Sequence, residues 1–164
     1  SGSTPHLAAE MMASATGVKF NHVPFKGSAP AVTAVLGSQV NLLFGTASDV
    51  MSHVQAGKLR ALAVTSPRRL PALPELPTAA EAGVSGYEAS AWFAYFAPAG
   101  VPREIVQRLN AEISKAIFAP EVRAKLEDFG FKVTASTPEE FNALMKTEFD
   151  NFSRAVRLAG LKQE

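Results

Sequence analysis

The segment VPFKGSAPAV, residues 23–32, closes a strand-like run at Pro24 and sets Gly27 and Ser28 ahead of an apolar stretch with helical spacing. A glycine, a serine and a proline at the mouth of a helix make either a tight turn or a cradle for an anion. The first N–H groups of a helix have no internal partners, and the helix dipole makes that end positive. Gly27, Ser28 and Ala29 offer backbone donors there, Gly27 permits close approach, and Pro30 gives up a donor where none is used. The same chemistry recurs at the start of the chain. Ser3 and Thr4 stand before Pro5 and a helical pattern, either as hydroxyl donors to a carboxylate or as plain N-caps. His6 follows one turn in, as a hydrogen-bond partner for a bound acid or as a packing histidine. Lys26 reads as a solvated lysine, Arg68 and Arg69 as a solvated loop pair.

Catalytic and metal chemistry find less support. Ser3 or Ser28 with His6, His22 or His53 and Asp49 supplies the residue types of a hydrolase triad, but no G-x-S-x-G elbow is present. The three histidines lack the spacing of a zinc site. With no cysteine, thiolate metal sites and disulfides are excluded. No metal, cofactor or catalytic residue is therefore expected.

The elements that must position these residues alternate. Helices are predicted from Thr4-Pro5 to Gly17, over 28–36 and over 48–55, and strands over 18–23, 40–44 and 59–65. That order predicts a parallel α/β sheet. SPRRLPALPELPT, with four prolines in thirteen residues, predicts an extended surface loop. Thr78 and Glu81 form a capping box for a short helix ending at Gly83, and Thr137 and Glu140 form a second. A long strand over YEASAWFAYFAPAG carries the only tryptophan. Three helices follow, over 102–117, 120–129 and 138–159, with a short strand over 131–134. The first is expected to bury Ile105, Val106, Leu109, Ile113 and Ile117, and the last Phe141, Leu144, Met145, Phe149, Phe152 and Val156. The first helix has no strand before it and the last three lack sheet to pack against, so an N-terminal part of the fold is expected to be absent from this chain. At 164 residues, a net charge of +1, 47% hydrophobic and 19% charged, the chain has the composition of an ordinary globular protein. Its charge gives no reason to expect nucleic acid as a partner.

The segments GSTPHLAAEMM, HVPFKGSAPAVTAVLGSQVNLLF, HVQAGKLRALAVTSPRRLPALPELPTAAEAGVSGYE, WFAYFAPAGVPREIVQRLNAEISKAI and STPEEFNALMKTE, taken in order, closely resemble the Bug (TctC-like) family. These are the extracytoplasmic solute receptors of tripartite tricarboxylate transporters, and the likeness covers essentially the whole chain. It implies an α/β, type II periplasmic binding protein-like fold of two lobes with the N-terminal part missing. Residues 1–88 would form most of the second lobe; residues 89–164 would form the return crossing strand and the C-terminal helical part of the first. It implies periplasmic capture of a small carboxylate or related organic ligand, with the membrane subunits of the transporter as partners. The implied contacts are Ser3, Thr4, His6, Pro24, Phe25, Gly27, Ser28 and Ala29, with Gly45 and Trp92. Phe25 stands where relatives more commonly carry tyrosine, and Gly45 where many carry an acidic or amide residue. Trp92 is either a cleft wall or packing at the lobe junction. The rival readings are the ligand-sensing domain of a transcription regulator, which predicts an upstream helix-turn-helix where the receptor predicts a signal peptide, and a small hydrolase.

Overall fold

The computed structural model describes residues 2–158; Ser1 and the predicted helix end at Ala159 lie outside them. Six helices run in chain order: α1 (Thr4–Thr16), α2 (Ser28–Leu36), α3 (Ala47–Gln55), α4 (Arg103–Ile117), α5 (Pro120–Asp128) and α6 (Pro138–Leu158). Each was legible because its ends are punctuated. Pro5 and Pro120 fill first-turn positions where the missing N–H costs nothing. Gly17 ends α1 with φ of 72° and returns its N–H to the Ala13 carbonyl, a left-handed stop that glycine takes at no steric cost.

The expected strands are corrected. Among the described residues no β-ladder forms, and the only pairing is an isolated parallel bridge between Val64 and Thr78. Around it, the Val64 N–H donates to the Pro77 carbonyl at 2.9 Å and the Ala79 N–H to the Val64 carbonyl at 2.8 Å. The stretches over 18–23, 40–44 and 131–134 carry no helix and no ladder. An apolar run predicts an extended backbone, but a strand also needs a neighbour to accept and donate its N–H and C=O groups. The whole of 17–30 is exposed, so that run is not the doubly covered strand its apolar content suggests. Phe20 and Phe44 still meet edge to face at 5.9 Å, which lays the first two extended runs side by side.

Among the described residues the buried side chains all belong to residues 6–87: His6, Leu7, Ala8, Val32, Ala34, Met51, Val64, Thr78, Ala79 and Tyr87. The Tyr87 hydroxyl donates to the Ala8 carbonyl at 2.8 Å, tying the end of this region back to α1. Burial of that phenol pushes its pKa up to about 12. Beyond residue 88 the expected cores are not closed. Ile105, Leu109, Leu144 and Phe149 are exposed, and α4 and α5 bury no residue fully. Their apolar stripes are real, but an amphipathic face becomes a core only when something covers it. α6 packs on α1 and α4. Gly130, with φ of 81°, lies against α3: a Cβ there would sit 2.8 Å from the Ala47 Cβ.

Both capping boxes form. Thr78 and Glu81 exchange bonds at 2.8 and 3.1 Å, and Thr137 and Glu140 at 2.8 and 3.2 Å. The first opens a turn over 79–83 rather than the short helix expected, because Gly83 with φ of 110° ends it at once. Arg69 is exposed on the loop, as expected, and also has partners there. Its Nε donates to Glu81 at 2.8 Å and its guanidinium to the Pro74 carbonyl at 2.9 Å, so it staples the proline-rich loop to the capping box.

Candidate functional site

Helix starts in this chain come in two kinds. The turn at Thr78 and helix α6 begin with reciprocal side-chain caps. Helices α1 to α5 begin with no side-chain cap bond at all, and of these α1 and α2 start at the candidate residues. At α1, Ser3 occupies the N-cap position in an extended conformation and its hydroxyl caps nothing. Thr4 is the first helical residue, half-buried beside it.

At α2, Gly27 is the N-cap with φ of 103° and ψ of 176°, a combination open to glycine and strained for other residues. No atom lies within 4 Å of where a Cβ would stand, so the requirement comes from backbone angle and not from crowding. Pro24, Phe25, Gly27, Ser28 and Ala29 are all exposed, leaving the α2 mouth open. Beside it runs an open groove of about 310 Å³ between α2 and α3, lined by Ser28, Ala29, Thr33, Asp49 and His53 among others. A larger groove of about 420 Å³ around Val54, Leu59 and Leu73 holds none of the candidate residues.

Around α3, the Thr46 hydroxyl donates to the Asp49 carboxylate at 2.6 Å and lies 3.2 Å from the Ser48 hydroxyl. Asp49 thus bonds a side chain of its own turn instead of a free backbone N–H. Gly45, just before, is exposed, and a Cβ there would meet Val50 and Leu43 at 3.4–3.5 Å, close to ordinary contact. A larger residue therefore has room.

His6 and Trp92 have partners already. The His6 Nδ1 accepts the Gly2 N–H at 3.0 Å, and its Nε2 lies 3.6 Å from Glu10. The Trp92 indole N–H donates to Glu148 at 3.2 Å, and its ring meets Phe141 edge to face. The structure brings His6 and His22 into a ring stack and so joins the α1 mouth to the loop ahead of α2. It gives no comparable link from either mouth to Trp92. His22 was absent from the expected contacts. The signal that could have found it was its place directly before the VPFKG loop, in a chain with only three histidines. Among the described residues no group of histidine, aspartate and glutamate could hold a metal ion, and no helix is long and apolar enough to cross a membrane.

Uncapped helix mouths beside an open groove suit a binding protein, and known structures agree. A Rhodopseudomonas palustris protein solved with adipate superposes with a TM-score of 0.91 at 35% identity, over 96% of this chain and 53% of that one. A second protein from the same organism, solved with bound malate, gives a TM-score of 0.79 at 30% identity, over 96% of this chain and 53% of that one. A Pseudomonas protein of strain P51 is 40% identical over 156 residues, covering 94% of this chain and 46% of its own length. The family model of the tripartite tricarboxylate transporter family receptor matches residues 1–161. The chain belongs to that receptor family, whose matched members are binding proteins and not enzymes. It spans about half the length of the relatives named here.

Proposed function

We propose that this chain forms one side of the ligand site of a periplasmic receptor for a small carboxylate, working with the membrane subunits of a tripartite tricarboxylate-type transporter. The observation that carries the reading is the pairing of two uncapped helix mouths, those of α1 and α2. Neither mouth carries a side-chain cap bond, the α2 mouth is exposed beside an open groove, and the His6–His22 stack joins the α1 mouth to the loop ahead of α2. A carboxylate satisfies the N–H donors of a helix start and is favoured by the helix dipole without a cationic partner. The adipate and malate held by the two superposed proteins are ligands of that chemistry.

In this reading Ser3 and Thr4 give hydroxyl and backbone donors to one carboxylate. Gly27, Ser28 and Ala29 give backbone donors at the second mouth, with Pro24 and Phe25 shaping its rim. Phe25 brings no hydroxyl, so it offers apolar contact alone. Gly45 leaves space where a polar side chain would otherwise meet the ligand. Trp92, its N–H spent on Glu148, serves as an apolar wall from the crossing segment. The regulator and hydrolase readings have no observation in their favour.

Titration calorimetry with adipate tests this on the 164-residue chain and on a chain of the relatives' full length that carries it. A two-walled site desolvates its ligand only when both walls are present. The longer chain is expected to bind and the shorter one to bind poorly. No binding by the longer chain to adipate, malate or any comparable dicarboxylate would sink the reading.

A further inference from the structure

Two histidines from separate loops lie face to face. The rings of His6, in the first turn of α1, and His22, in the extended run before Pro24, stack with centroids 4.0 Å apart and planes 12° from parallel. His6 is buried, at 8% exposure, although it stands at the mouth of a helix. Its Nδ1 accepts the Gly2 N–H, which fixes the neutral tautomer with the proton on Nε2, on the side of Glu10.

We propose that His6 and His22 are positioning residues that hold the α1 mouth against the loop of residues 22–28, and that the hold requires a neutral His6. The proposal rests on the reading of Ser3, Thr4 and Gly27 to Ala29 as carboxylate contacts and adds what keeps the two mouths in register. Protonation places a hydrogen on Nδ1, so the Gly2 N–H then faces a donor and loses its acceptor. The same proton sets a positive ring against the His22 ring.

The groups facing His6 among the described residues are Glu10 on its own helix and His22 from the loop. Burial is the first influence holding the His6 pKa below its ordinary 6.5, and His22 adds to it, while Glu10 opposes. For a base whose folded pKa is lowered, the unfolded chain takes up more protons, so the arrangement is stable at neutral pH. It weakens as pH falls from 6.5 through the folded value.

The test begins without ligand, by nuclear magnetic resonance of the 164-residue chain. The proton of neutral His6 is expected on Nε2. The amide signals of Gly2 and of residues 25–28 are expected to move together, following the His6 titration midpoint below 6.5. In His22→Phe, which keeps a ring on His6, the loop amides should still follow; in His22→Ala they should stop. His6→Asn, which keeps an acceptor for Gly2 but has no ring and cannot titrate, should abolish the pH response and release the loop as His22→Ala does. In the full-length chain, His22→Ala is expected to weaken adipate binding roughly three- to tenfold, and His22→Phe less than about twofold, the range set by an aromatic pair. Loop amides indifferent to the His6 titration, or Ala and Phe variants behaving alike, overturn the proposal. Coupled amides together with no adipate binding even by the unsubstituted chain would support the clamp and overturn the ligand reading instead.

Discussion

At the scale of single residues, Gly27 and Tyr87 show how differently two positions can matter. Gly27 holds φ of 103° with open space around its Cα, so a side chain there strains the backbone and meets no neighbour. Gly27→Val should therefore re-aim the free N–H groups of α2 more than it unfolds the chain. Ser28→Ala should cost about 1 kcal/mol of binding if its hydroxyl meets the ligand, and Lys26→Ala should change little. Tyr87→Phe removes a buried hydroxyl that donates to the Ala8 carbonyl. It should cost about 1 kcal/mol of stability, read as a lowered melting temperature, and should leave adipate binding unchanged. Gly45→Asp should fold normally, since a Cβ there meets only ordinary contacts; a large drop in melting temperature would show that the site has less room than its geometry indicates. Glycines and serines at helix mouths were legible in the sequence because their chemistry is local. The His6–His22 stack was not, since sixteen residues separate the two and no spacing rule links them.

At the scale of elements, the helices and both capping boxes were legible, and the strands were not. A helix satisfies its own backbone and carries its start and stop in adjacent residues, as Pro5 and Gly17 do for α1. A strand is completed by a partner distant in sequence, and the runs over 18–23 and 40–44 find no ladder among the described residues. The partner of Arg69 was not legible for the same reason: Glu81, twelve residues on, is a neighbour only after the loop folds. The caps give a pH prediction. Glu81 and Glu140 are both held below their ordinary 4.5, first by the backbone N–H of Thr78 and of Thr137. For a carboxylate with a lowered folded pKa, the contribution is present above 4.5 and is lost as pH falls through the folded value. Acid titration should fray the starts of the 79–83 turn and α6 only below about that pH, visible in their amide exchange. Fraying of α6 already at pH 6 would assign its stability elsewhere. Gly130→Ala should destabilise the chain by roughly the 1–3 kcal/mol of overpacking, read as a lowered melting temperature, because a Cβ would stand 2.8 Å from Ala47 of α3.

At the scale of the whole molecule, burial and exposure divide along the chain. Among the described residues the buried ones run from His6 to Tyr87, whereas Phe93, Tyr95, Phe96 and Phe149 are each at least 70% exposed. Exposed aromatic surface of that extent favours association, so sedimentation of the 164-residue chain should show concentration-dependent oligomers. A chain that stays monomeric at high concentration would show these aromatic side chains to be better covered in solution. The sequence announced this only as amphipathic stripes on α4 and α6; what covers a stripe is not written in the stripe itself. The central claim is that the open mouths of α1 and α2 receive a carboxylate, and the most direct measurement is calorimetry of adipate with the full-length chain and its Gly27→Val variant, each checked by a thermal melt. The account predicts a variant that melts within a few degrees of the unsubstituted protein and binds at least roughly tenfold more weakly. A Gly27→Val protein that melts normally and binds adipate at full strength would contradict it, and would show the loop to be only a turn.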